Sequence, residues 1–119
     1  MRGIGEDECL AKLGALLGCI FEPQSQFCPL DGVAPEAVIE IKQRNVKKDT
    51  YPSTLMGKNK IDHWEKHYPE RPLYFFFRFI DGDYYYRWNP DDNIQVDIGG
   101  LRDEQKPEYF FPKELLTPF

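Results

Sequence analysis

Asp31, Glu40 and Lys42, within the stretch DGVAPEAVIEIK, are the side chains of this sequence whose types and spacing could do chemistry. Two carboxylates with a lysine suit a divalent cation held beside a phosphate. Oxygen ligands alone favour Mg²⁺ or Mn²⁺, and an ammonium can face the anion or a bound water. Read as a strand, EAVIEIKQ turns successive side chains to opposite faces. Glu40 and Lys42 then share one face, their α-carbons about 7 Å apart, while Ala37, Ile39 and Ile41 share the other. Asp31-Gly32 is a turn signal and Pro35-Glu36 a break, so the chain can reverse and set Asp31 beside Glu40.

Elements must position these residues, and their order is informative. An acidic amphipathic helix comes first, then Asp-Gly, then an apolar strand ending in Glu40-Ile41-Lys42, then a basic helical segment, then another apolar strand. Over residues 5–80 this resembles the PD-(D/E)xK nucleases, the restriction-endonuclease-like superfamily. One departure is that Leu30, not proline, precedes Asp31, with Pro29 one place earlier.

The resemblance implies an α/β fold, a restriction-endonuclease-like mixed β-sheet flanked by helices with an α-β-β-β-α-β core. It implies a metal-dependent endonuclease that hydrolyses phosphodiester bonds, in DNA by family precedent, with Mg²⁺ or Mn²⁺ as cofactor. Asp31, Glu40 and Lys42 would be catalytic. Asp31, Glu40, the Ile41 carbonyl and Glu6 on the first helix would hold the metal. Tyr51 and Thr54 match a Tyr-Pro-Thr-like stretch, and Lys58 or Lys60 a further lysine on the following helix. Two other classes stand beside this one: a non-catalytic nucleic-acid-binding or protein-interaction module on the same fold, and an RNA-cleaving nuclease.

A chain of 119 residues predicts one domain, with a core over about 5–98 and a C-terminal tail over 99–119. The formal charge of −5 argues against a protein that coats nucleic acid generally, because such binding rests on phosphate neutralisation. Any nucleic-acid contact must therefore use a local patch. Arg44, Lys47, Lys48, Lys58 and Lys60 supply one, with Tyr51, Ser53 and Thr54 as hydroxyls able to bond phosphates. The bland reading of the same run is a solvated face.

Three cysteines without CxxC spacing indicate neither a disulfide framework nor a zinc site, which fits a reduced, intracellular setting. No basic start with a long apolar run is seen at the N-terminus. No stretch approaches the roughly 20 apolar residues of a membrane helix. The expectation is a soluble protein without a membrane partner.

Residues 5–18 predict a helix with acids in its first turn, Gly18 as its stop, and Leu10, Leu13 and Leu17 as its buried stripe. Glu6 projects onto that stripe, where a carboxylate needs a partner; equally, Glu6, Asp7 and Glu8 could simply favour the helix dipole. Cys19–Pro23 and Phe27–Val33 read as short strands and Glu36–Gln43 as the central one. A long polar connection follows from Arg44, then a helix over Lys58–Tyr68 with Ile61 and Trp64 inward. His63 and His67 lie four apart but have no third soft ligand, so they read as a solvent-facing pair. PLYFFFRFI predicts a strand covered on both faces, turning at Asp81-Gly82 into DYYYRW. That aromatic row reads as core rather than a base-stacking surface. Asn93–Ile98 reads as a further short strand. The apolar tail, Tyr109 to Phe119, must pack on the domain or on another copy, which raises the expectation of a homodimer.

Overall fold

In the computed structural model, residues 5–25, 27–92, 94–99 and 106–119 are described. Helix α1 (Glu6–Leu17) begins with three acids and ends at Gly18, whose φ of 73° is the left-handed conformation that glycine adopts without strain. Its inward side is Cys9, Leu10 and Leu13, with Leu17 half-buried. Three strands follow as an antiparallel meander: β1 (Glu22–Pro23), β2 (Gly32–Val33) and β3 (Val38–Gln43). Gly32 is not the turn residue its Asp-Gly context suggested. It lies in β2 directly beneath α1, where an added Cβ would stand 2.7 Å from Leu10 Cδ2 and 2.8 Å from Ile39 Cγ2. Its missing side chain lets helix and sheet meet.

The connection after β3 is not the irregular stretch its polarity predicted. It contains strand β4 (Ser53–Gly57), which runs straight into helix α2 (Lys58–His67). Thr54 and Met56 are buried while the residues around them are half-exposed, the period-two pattern of a strand. The helix turns Ile61 fully inward, and Trp64 donates its indole N–H to the Arg71 carbonyl at 2.6 Å.

Strand β5 (Leu73–Phe79) pairs parallel with β3, and β4 with α2 forms the crossover that a parallel pair requires. It is covered on both faces as expected. Phe75, Phe77 and Phe79 enter one hydrophobic cluster, and Tyr74 and Phe76 the other. β6 (Gly82–Arg87) returns antiparallel, with Phe79 opposite Gly82. The turn thus falls on Ile80-Asp81, one residue earlier than predicted. Tyr84 and Tyr86 do share a face with the first cluster, and Tyr85 packs on the other.

The largest departure is at the C-terminus. β7 (Gln95–Gly99), β8 (Lys106–Pro112) and β9 (Thr117–Pro118) are integral to the fold, whereas Gly99 had marked the start of a tail. Gly100, the other half of that boundary, lies outside the described residues, as does Asn93. One mixed sheet has the order β1-β2-β3-β5-β6-β9, and a second sheet has the order β4-β8-β7. Phe111 of β8 is fully buried, its ring 5.1 Å from Phe75 and 5.2 Å from Tyr86. The second sheet and α2 therefore cover the Phe75–Phe77 face, while α1 covers the Phe76 face. Phe111 and Leu116 pack into the chain's own core, while Phe119 stays 41 % exposed. Among the described residues no helix is long and apolar enough to cross a membrane. Cys9, Cys19 and Cys28 are free thiols.

Candidate active site

β2 is only two residues long, so β3 runs past it with an edge that lacks a strand partner among the described residues. Asp31, just before β2, fills that edge. Its N–H donates to the Ile39 carbonyl at 3.1 Å, and its Oδ2 accepts the Ile41 N–H at 2.8 Å. Val38 and Arg44 turn their N–H groups the other way, to carbonyls of Pro72 and Arg78. By strand alternation the Ile41 carbonyl faces the same open edge as Asp31.

Glu40 and Lys42 point to the face opposite Ile39 and Ile41, as the strand pattern predicts. Glu40 is only 3 % exposed. Its Oε2 is 2.7 Å from the ammonium of Lys60 on α2, which also donates to the Pro29 carbonyl at 2.7 Å. Its Oε1 is buried and accepts no hydrogen bond, and the Asp31 carboxyl lies close enough to share a proton with Glu40. Burial pushes the Glu40 carboxyl well above its usual pKa, the adjacent Asp31 carboxyl raises it further, and Lys60 pulls it back in part. Lys42 is half-buried. Its pKa is lowered, first by burial and then by Arg44, while Glu108 and Glu40 oppose the shift.

Glu108 was not among the residues singled out from the sequence. It lies on β8 opposite Gly57, and its Oε2 is buried without a partner. Its influence on Lys42 arises only because β8 pairs with β4, a contact between residues about fifty apart in sequence. No local pattern marks it.

The remaining candidates divide. Glu6 opens α1, which packs on the Ile39–Phe76 face, the side of the sheet away from Glu40 and Lys42. Glu6 lies in the first turn of that helix, close enough to the buried Cys9 to raise its thiol pKa slightly. Of the two candidate lysines on α2, Lys60 reaches the site, whereas Lys58 pairs with Asp62 at 2.8 Å on the helix surface. Arg44, Lys47, Lys48, Tyr51 and Thr54 gather instead around a separate small hollow with Ser53 and Lys113. His63 and His67 stack at 4.3 Å between ring centres, one turn apart on α2.

The donors available to a cation are the two carboxyls and the Ile41 carbonyl. Among the described residues no group of three or more His, Cys, Asp or Glu side chains is arranged to hold a metal ion. The unpartnered Glu40 Oε1 beside Asp31 nonetheless fits a hard cation, which takes oxygen ligands and completes its shell with water. No known family model, characterised protein or solved structure matches the chain.

Proposed function

We propose that the protein is a metal-dependent nuclease of the PD-(D/E)xK type. One observation carries this reading: the carboxyls of Asp31 and Glu40 adjoin each other on β3's open edge, with Glu40 Oε1 buried and unpartnered and Lys42 half-buried on the same face. The element order also supports it, since a helix, an antiparallel meander, a helical crossover and a parallel strand follow one another as the resemblance implies.

Asp31, Glu40 and the Ile41 carbonyl would hold Mg²⁺ or Mn²⁺, which supplies an activated water and neutralises charge developing on the scissile phosphate. Lys42 does two things from its place on β3. Its lowered pKa lets it release a proton more readily than a surface lysine, and its ammonium can face the phosphate. Lys60 fixes the Glu40 carboxyl by holding Oε2 and leaving Oε1 free. DNA remains the proposed substrate on family precedent, with RNA as the alternative.

A non-catalytic binding module has one observation in its favour, because the Lys60 ammonium already neutralises much of the Glu40 charge. Incubating the protein with duplex DNA, single-stranded DNA and RNA in Mg²⁺ or Mn²⁺ separates the readings. Cleavage that disappears in Glu40→Gln and Lys42→Ala is the expected result. Binding without cleavage of any of the three would leave the non-catalytic module.

A further inference from the structure

We infer that the hollow beside Arg44 is a seat for a phosphate group, separate from the carboxyl pair. Its floor is Thr54 with Val46, Phe79 and Leu116, and its rim carries Arg44, Lys47, Lys48 and Lys113. Thr54 is 4 % exposed, and its hydroxyl is buried without any hydrogen-bond partner. A buried hydroxyl in that state is unfavourable unless something bonds to it. Thr54 is itself part of the lining of a hollow ringed by cations. Asp49 pairs with Lys113 at 3.3 Å, and Asp81 accepts the backbone N–H of Lys48, so the surroundings hold two carboxylates against the four cations of the rim. The hollow thus carries a local positive excess in a chain of net charge −5.

Size selects the ligand. The enclosed space is about 10 Å³, room for a single water-sized group. One oxyanion oxygen can enter and accept the Thr54 O–H, while a base or a sugar cannot. The remaining oxygens would lie at the rim, among Arg44, Lys47 and the Tyr51 and Ser53 hydroxyls. Arg44 follows Lys42 by two residues, roughly 7 Å along the chain, and its charge is felt by Lys42. Resting on the nuclease reading, the seated phosphate is a neighbour, on the same strand, of the one facing Asp31 and Glu40.

The test uses inorganic phosphate in the presence of chelator, with affinity measured by calorimetry. Phosphate should bind the parent protein and Glu40→Gln equally, and at least fivefold more weakly to Thr54→Val and Lys47→Gln. Without phosphate, Thr54→Val should melt at the parent temperature or above, because it removes an unpaired hydroxyl. Unchanged phosphate affinity in both variants would overturn the seat, as would a lower melting temperature in Thr54→Val. Oligonucleotides with and without a 5′-phosphate then distinguish the source. Preference for the phosphorylated end assigns a terminal phosphate, and equal, Thr54-dependent binding assigns a backbone diester. Cleavage together with phosphate binding that is indifferent to Thr54 and Lys47 removes the seat alone, whereas Thr54-dependent phosphate binding without cleavage removes the nuclease and leaves the seat.

Discussion

Lys60 Nζ bridges Glu40 Oε2 and the Pro29 carbonyl, 2.7 Å from each. One ammonium thereby ties α2 to β3 and to the segment that leads into Asp31, the three parts of the chain that must converge for the two carboxyls to meet. It also places a positive charge where a bound cation would feel it.

Replacing Lys60 by Gln therefore separates two roles. The amide can still bond Glu40, but the charge that opposes a divalent ion is gone. Mn²⁺ titrated into Lys60→Gln should bind several-fold more tightly than into the parent protein. Weaker binding would mean that Lys60 is needed to hold Glu40 in place rather than competing for it.

Glu40 should make stability depend on pH in a direction opposite to that of most carboxylates. Its pKa is raised in the folded state, by burial and then by Asp31, from an ordinary value of 4.5. The folded state thus holds this proton more tightly than the unfolded one. The stabilisation is complete below pH 4.5 and is lost as pH rises through the folded value. Lys42, with its lowered pKa, acts with the opposite sign, its burden easing as pH rises toward the lysine range. Urea unfolding in chelator at several pH values should show the Glu40 decline in the parent protein and its absence in Glu40→Gln. Asp31→Asn should reduce the slope, because it removes the neighbouring charge while keeping an acceptor for the Ile41 N–H. Parallel curves for all three proteins would show that Glu40 does not titrate in this window.

How far the sequence carries depends on whether the pattern is local. Alternation along EAVIEIKQ puts Glu40 and Lys42 on one face without reference to any other element, and the structure agrees. The helix ending at Gly18 and the doubly covered Phe75–Phe77 strand follow from equally local rules. What failed to show were the long-range pairings. β4 hides in a basic stretch because only Thr54 and Met56 are buried, too few to outweigh the surrounding lysines. β8 sits beyond two glycines and reads as a tail, yet it completes the core and brings Glu108 toward Lys42. Glu6 shows the limit of helical projection. Helical projection gives the stripe on which a residue lies, but not which face of the sheet the helix will cover.

Arg78 and Asp83 face each other across β5 and β6 and form two parallel bonds of 2.8 Å. Arg78 also reaches Glu8 at 2.9 Å, and Lys12 reaches Asp83 at 2.8 Å, so the pair links α1 to the sheet. The Arg78 guanidinium holds the Asp83 pKa below its ordinary 3.8. Its contribution is therefore present above pH 3.8 and fades as pH falls through the lowered value. Asp83→Asn should cost roughly 1.5–3 kcal/mol at neutral pH, the range for hydrogen bonds to charged groups. The difference from the parent protein should shrink in acid. A cost that is constant down to pH 2.5 would assign it to packing instead.

Phe111 tests whether the C-terminal strands belong to the cooperative unit. Its ring is fully buried among Phe75, Phe77 and Tyr86, whereas Phe119, eight residues on, is 41 % exposed and rests on Phe76 and Tyr85. Truncating a fully buried phenylalanine to alanine typically costs about 3–5 kcal/mol through lost transfer energy and the cavity left behind. Phe111→Ala should lower stability by that amount in a single unfolding transition, and Phe119→Ala by a much smaller one. If β8 were a loosely attached tail, Phe111→Ala would leave the main transition unchanged and at most add a separate early one. Coincident fluorescence and circular dichroism melts at the lowered temperature would place β8, and with it Glu108, within the same folding unit as the carboxyl pair.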